Sequence, residues 1–124
     1  MLIYEEMTHA IRGAAMEVHQ AIGPGLLESA YEECLCHELN LRGVRFQRQV
    51  PLPVMYKNVK LDCGYRLDIV VEDKGILELK RVEEITPLHK AQLLTYLRLS
   101  SKKVGLLINF NTPLIKDGIT RMVL

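Results

Sequence analysis

The chain has 124 residues, 48% of them hydrophobic and 25% charged, with a formal net charge of +1. That length fits one domain, expected over residues 1–124, which hides enough surface on folding to need no metal or disulfide staple. The near-neutral balance excludes a strongly basic nucleic-acid coat, and no apolar run approaches the about 18 residues of a membrane span. The N-terminus is acidic rather than basic and apolar, so a cytoplasmic location is expected. Cys34, Cys36 and Cys63 are an odd number without metal-ligand spacing and are expected to be reduced.

Residues 5–22 carry apolar groups at helical spacing (Met7, Ala10, Ile11, Ala14, Ala15, Val18, Ile22), which predicts a first helix. Gly23-Pro24-Gly25 stops it, because glycine accepts the left-handed terminal conformation and proline cannot continue the ladder. A second helix is expected over about 26–42, with Leu27, Ala30, Tyr31, Cys34, Leu35 and Leu39 buried and Gly43 closing it. The period then changes to two. Val44, Phe46, Val50, Leu52, Val54 and Tyr56 take even positions, with Arg48 the only break. Pro51 and Pro53 put this strand at an edge or a bulge, since neither can donate to a ladder.

Tyr56-Lys57-Asn58-Val59 reads as a turn, after which Val59, Leu61, Cys63, Tyr65, Leu67, Ile69 and Val71 alternate on odd positions. Asp73-Lys74-Gly75 is expected as a three-residue hairpin loop with Gly75 in the left-handed position, leading into a short strand from Ile76 to Arg81. Thr86-Pro87 starts a helix that runs to about Leu99, threonine capping and proline surrendering only an amide with no intrahelical partner. Val104 to Phe110 is a continuous apolar run, as in a strand buried on both faces. Asn111 to Gly118 is loop and Ile119 to Leu124 a last strand. The order α-α-β-β-β-α-β-β describes an α/β fold, a mixed β-sheet flanked by helices.

Charge is unevenly spread. Residues 1–40 hold seven acidic side chains against only Arg12, whereas 41–66 hold Arg42, Arg45, Arg48, Lys57, Lys60 and Arg66 against only Asp62. Such a basic band suits a polyanion, and an ordinary solvated sheet face accounts for it equally well.

The hairpin carries the chemistry. With the loop at 73–75, Asp68 lies across from Lys80 and Val70 across from Glu78, so Asp68, Glu78 and Lys80 share one face. Carboxylates in so apolar a pair of strands need a partner, because unpaired burial costs several kcal/mol. Hard oxygen ligands on Asp68 and Glu78 suit Mg²⁺ or Mn²⁺, with Lys80 placed to orient a water or offset charge. A plain Asp68–Lys80 ion pair with Glu78 at the surface satisfies the same pattern.

Leu67-Asp68, then Glu78-Leu79-Lys80 ten positions after the aspartate, resembles the PD-(D/E)xK nuclease superfamily, whose core of helix, three meandering strands, helix and strand has the predicted order. Leu67 stands where the superfamily's name has proline. More narrowly, Gly25-Leu26-Leu27-Glu28-Ser29-Ala30-Tyr31 looks like the signature of the GxxExxY family, and the likeness continues through Ala91–Leu97 and Gly105–Phe110. The resemblance implies a restriction-endonuclease-like core and a divalent-metal-dependent nuclease acting on DNA or RNA. It implies that Asp68 and Glu78 bind Mg²⁺ or Mn²⁺, with the Leu79 carbonyl a further ligand and Glu28 completing the site from a helix. Lys80 takes the place of the catalytic lysine, and Gln92 and Tyr96 match a trailing QxxxY that holds substrate or site.

Each satellite has a plainer reading. Glu28 in a first helical turn complements the helix dipole, and Gln92 and Tyr96, four apart, suit a hydrogen-bonded core pair. His19 reads as a dipole-favoured cation or a core histidine, and its place beside the Gly-Pro-Gly turn also makes it a candidate for site support near Glu28; His89 is a candidate to face the site, and His9 and His37 read as structural. Arg66, at the end of the basic band, joins the candidates for substrate support. Besides the nuclease, two alternatives stand: a non-catalytic module of the same fold binding nucleic acid or a protein partner, and a metal-dependent enzyme on another phosphate compound. The small size leaves room for a homodimer or a larger partner to supply the recognition surface.

Overall fold

Residues 4–124 are described by the computed structural model. Helix α1 spans Glu5–Ile22 and α2 Glu28–Leu41; strands β1 (Phe46–Pro51), β2 (Val54–Tyr56), β3 (Val59–Leu61), β4 (Arg66–Val71) and β5 (Gly75–Lys80) follow. Helix α3 (Pro87–Ser100), β6 (Val104–Asn109), a 3-10 turn (Ile115–Gly118) and β7 (Ile119–Val123) complete the chain. The main sheet has the order β1-β4-β5-β6-β7, antiparallel except for β5 and β6, which α3 joins in parallel. It is the α/β, mixed-sheet architecture that the order of the elements predicts. Among the described residues no helix is long and apolar enough to cross a membrane.

Two cores sandwich the sheet. Ile11, Ala14, Ala15 and Val18 of α1 and Tyr31, Leu35 and Leu39 of α2 pack on Ile69, Val71, Leu77, Leu79, Leu106 and Ile108. On the other face Leu93, Tyr96 and Leu97 of α3 meet Val70, Ile76 and Leu107. Strand β6 is buried along its whole length because both faces are covered. The helix ends fall where glycine allows: the Gly23 amide donates to the His19 carbonyl at φ 66° and closes α1. Leu27, expected in the buried stripe of α2, is exposed, since it is the extended N-cap residue that precedes the helix.

Two departures from the sequence reading shape the site. Each long alternating stretch is broken in the middle. The Pro51-Leu52-Pro53 segment separates β1 from β2, and residues 62–65 separate β3 from β4, so the outer halves pair as a sheet of their own. Two prolines without amides cannot carry the main ladder across that point.

The other departure is the hairpin register. The loop is Glu72-Asp73-Lys74, one residue earlier than expected, and Gly75 opens β5 opposite Val71. Glu72 and Asp73 take the left-handed conformation at φ 52° and 55°, and the Lys102 ammonium donates to the Asp73 carbonyl and carboxylate, both at 3.2 Å. Gly75 serves a different need: a Cβ there would stand 2.6 Å from Met7 Cε of α1. The Met7 side chain fills the space a Cβ would take, and Gly75 is not among the residues in the left-handed conformation.

Candidate functional site

Strands β4 and β5 part where the acids sit. Their ladder pairs Val71 with Gly75, Val70 with Ile76 and Ile69 with Leu77, which makes Asp68 and Glu78 the next opposed positions. Asp68 therefore faces Glu78, not Lys80 as the expected loop implies. The shift moves the pairing by two residues, so all three side chains keep their shared face. Beyond Ile69 the backbone ladder gives way to carboxylates. The Asp68 amide donates to Glu78 Oε1 at 3.1 Å, and the Leu79 amide donates to Asp68 Oδ2 at 2.8 Å. Each acid is thus held by the backbone of the opposite strand.

Glu78 is only 5% exposed, and burial, with the Asp68 charge adding to it, pushes its carboxyl up to about 8. Burial also raises Asp68, against the pull of the Leu79 amide. A buried and a half-buried carboxyl side by side resist joint ionisation and so favour a shared proton or a cation between them. Among the described residues no three His, Cys, Asp or Glu side chains stand together as a ready ligand cage. The donor set fits an ion that takes one or two carboxylates and fills its other positions with water and phosphate oxygens, as Mg²⁺ does.

Half-buried Lys80 donates from Nζ to Gln92 Oε1 of α3 across 3.4 Å. One turn further on, Tyr96 is buried against the same region; burial and then the Glu78 charge raise the pKa of its hydroxyl. Its ring lies 6.0 Å from that of Tyr65, at the entry to β4. Arg66 is exposed two residues before Asp68.

The helical side of the site comes from α2. Glu28 occupies its first turn, exposed, and its charge reaches Asp68 without a direct contact among the described residues. Glu32, one turn on, raises Asp68 more strongly. It is buried and fully engaged: Arg48 Nη2 and Nε donate to Oε2 at 2.8 and 3.1 Å, and Gln49 Nε2 donates to Oε1 at 2.7 Å. Arg48 also donates to Glu33 at 2.7 Å. Gln49 lies opposite Asp68 in the β1–β4 register and holds a left-handed backbone at φ 50° inside a strand, a conformation that costs about 1 kcal/mol or more.

Glu32, Arg48 and Gln49 were not among the residues expected from sequence. Two signals pointed to them: the four-residue spacing of Glu28 and Glu32, and Arg48 as the one interruption of an apolar series. Nothing local marks Gln49.

Tyr31 accounts for the spacing of Gly25, Glu28 and Tyr31 in physical terms. Its ring stacks on Phe110 with centroids 4.4 Å apart, while its hydroxyl donates to the Gly23 carbonyl at 2.6 Å and accepts from the Leu26 amide at 3.1 Å. The 23–27 turn is pinned to the core, and Glu28 enters α2 at a set position. Tyr31→Phe is expected to keep the stacking, lose both hydrogen bonds, and lower stability by about 1–2 kcal/mol in urea denaturation. An unchanged midpoint would show that the hydroxyl carries no such role.

His19 is buried and its Nε2 donates to the Thr112 carbonyl at 2.7 Å, tying α1 to the segment after β6 rather than approaching Glu28. His89, a candidate to face the site, instead caps α3: its Nδ1 accepts from the Thr86 amide and its own amide donates to Thr86 Oγ1. The cysteines are free thiols.

A mixed five-stranded sheet between helices, with an acidic pair at parting strands and a lysine two residues on, defines a restriction-endonuclease-like fold. A family model described as the PD-(D/E)XK nuclease superfamily matches residues 5–122, and the chain belongs to that superfamily. No curated protein and no solved structure matches it. Nucleases of this superfamily generally use divalent metals.

Proposed function

We propose that this protein is a divalent-metal-dependent nuclease of the GxxExxY family, one domain over residues 1–124, that hydrolyses phosphodiester bonds in DNA or RNA. The observation that carries the reading is the Asp68–Glu78 pair, each carboxylate fixed by a backbone amide of the facing strand, with Lys80 next to it. Gly25, Glu28 and Tyr31 support the narrower family, Tyr31 through the turn it pins.

A bound Mg²⁺ or Mn²⁺ supplies Lewis-acid polarisation of the scissile phosphate and a more acidic water. Asp68, Glu78 and the Leu79 carbonyl hold the ion, and Glu28 adds negative charge from α2, through solvent. Lys80, steadied by Gln92, sets a cation beside the phosphate oxygens where charge grows in the transition state. Tyr96 walls the site on the α3 side and Arg66 meets the substrate backbone at its edge. Glu32 acts through others: with Arg48 and Gln49 it fixes α2 against β1 beside Asp68.

The test is direct. Purified protein with Mg²⁺ or Mn²⁺ is offered single-stranded, duplex and structured nucleic acids, and product is scored on denaturing gels. Cleavage of at least one class is expected; none with any of them sinks the proposal. A second reading, a nuclease fold that binds without turnover, draws on the exposure of Glu28 and its lack of contact with Asp68. Calorimetry separates the two, since that reading requires no divalent-ion binding.

A further inference from the structure

The β2–β3 hairpin stands outside both cores. Its strands pair only with each other, around a two-residue turn in which Lys57 and Asn58 are both left-handed, at φ 49° and 65°. Tyr56 opposes Val59 and Val54 opposes Leu61, so these four share a face. That face is apolar and turned to solvent: Tyr56 is 61% exposed, Val59 54% and Leu61 40%. A bare two-stranded hairpin is marginal in water, and an exposed apolar face on one marks a contact surface.

Its position ties it to the acids. The Leu52 amide donates to the Tyr65 carbonyl at 2.8 Å, continuing the β1–β4 pairing past Pro51 and Arg66 into the hairpin's stem. Asp68 lies two residues into β4, and antiparallel β5 brings Lys80 to the same end of the sheet. The hairpin therefore projects from the end that carries the site. Tyr65 at its base is exposed and packs its ring against Tyr96, which feels the charges of Glu78 and Asp68.

The chemistry on this arm selects its occupant. Lys57, Lys60 and Arg66 surround it with no carboxylate partner among the described residues, and Lys57 Nζ lies 5.5 Å from the centre of the Tyr56 ring. The one acid nearby, Asp62, spends Oδ1 on the Gly64 amide. Exposed rings and apolar side chains among unpaired cations suit a strand whose bases are free to stack and whose phosphates seek positive charge. A duplex keeps its bases stacked internally and offers Tyr56 and Val59 nothing. A second copy of the chain, docked face to face, brings Lys57 beside Tyr56 toward its own counterpart, while Lys60, opposite Met55, takes the other face.

We propose that the β2–β3 hairpin, with Tyr65 and Arg66, is the arm that binds an unpaired nucleic-acid strand and leads it to Asp68 and Glu78. The inference rests on the nuclease reading for what lies at the end of the arm. It is tested by fluorescence anisotropy on the whole chain in EDTA, so that neither metal nor turnover contributes. The probes are a labelled oligothymidylate of about 15 nucleotides and a duplex of the same length.

Tighter binding of the single strand is expected, weakened about tenfold by Tyr56→Ala. Lys57→Ala and Lys60→Ala each should lower the logarithmic salt slope by about 0.7. All three positions are exposed, and unchanged melting temperatures verify the fold. The proposal is overturned if the variants bind like wild type, or if duplex binds as tightly as the single strand. It is also overturned if sedimentation reveals a dimer that Tyr56→Ala dissolves while oligonucleotide binding persists. Cleavage is assayed apart with Mn²⁺: hairpin-dependent binding without cleavage overturns the nuclease reading alone, and cleavage with hairpin-independent binding overturns only the arm.

Discussion

Asp68→Asn is expected to lower metal-dependent phosphodiester cleavage by about a hundred- to a thousandfold while leaving the fold intact. The side-chain oxygen that accepts from the Leu79 amide survives as an amide carbonyl, so the join between β4 and β5 holds. What disappears is the negative charge that the proposed mechanism assigns to holding the cation. Loss of activity should therefore come with unchanged circular dichroism and a melting temperature no lower than wild type, because burial opposes the Asp68 charge. Lys80→Ala is expected to match the loss in rate but to retain metal binding by calorimetry, since the proposed mechanism has the lysine act on the phosphate rather than the ion. Cleavage at wild-type rate by either variant would remove this trio from the chemistry and point to a contaminating enzyme.

Proton linkage is the second large effect. Burial and the Asp68 charge carry Glu78 from an ordinary value of 4.5 up to about 8, so at neutral pH the metal-free pair retains a proton that a cation must displace. Divalent-ion affinity should rise about tenfold per pH unit from pH 6 and level off near 8, with about one proton released per ion at pH 7. Calorimetry in buffers of different ionisation enthalpy reads both quantities; a flat profile with no proton release would contradict the linkage.

The same shift acts on stability. Because the folded value lies above the unfolded one, the protonated form is the one that folding favours. Its contribution is full below about 4.5 and is lost as pH rises through about 8. Glu78→Gln should then stabilise the metal-free protein at pH 9 by on the order of a few kcal/mol and change little at pH 4. Added Mg²⁺ should restore wild type at pH 9 and not the variant.

Much of the site was legible before any tertiary contact was known. Alternation along residues 66–71 and 75–80 put Asp68, Glu78 and Lys80 on one face, and it survived a misplaced loop because a shift of two residues preserves parity. Glycine and proline at 23–25, 43 and 87, with the Thr86 cap, bounded the helices by rules that act within a few residues. These properties are local, and a single sequence contains them.

Only the tertiary structure decided which residue faces Asp68. The Val71–Gly75 pairing fixes that register, and Gly75 there packs against Met7, a residue far away in the chain. The tertiary structure also showed that the break Pro51 and Pro53 make divides two apparently continuous strands into a sheet and a projecting hairpin. Glu32 is buried beside Asp68 because Arg48 and Gln49 reach it from β1, sixteen and seventeen residues on, at the expense of a left-handed Gln49. Periodicity tells which face a side chain takes. It carries no information on what stands across from it, because that is set by chain segments that meet only when the whole fold closes.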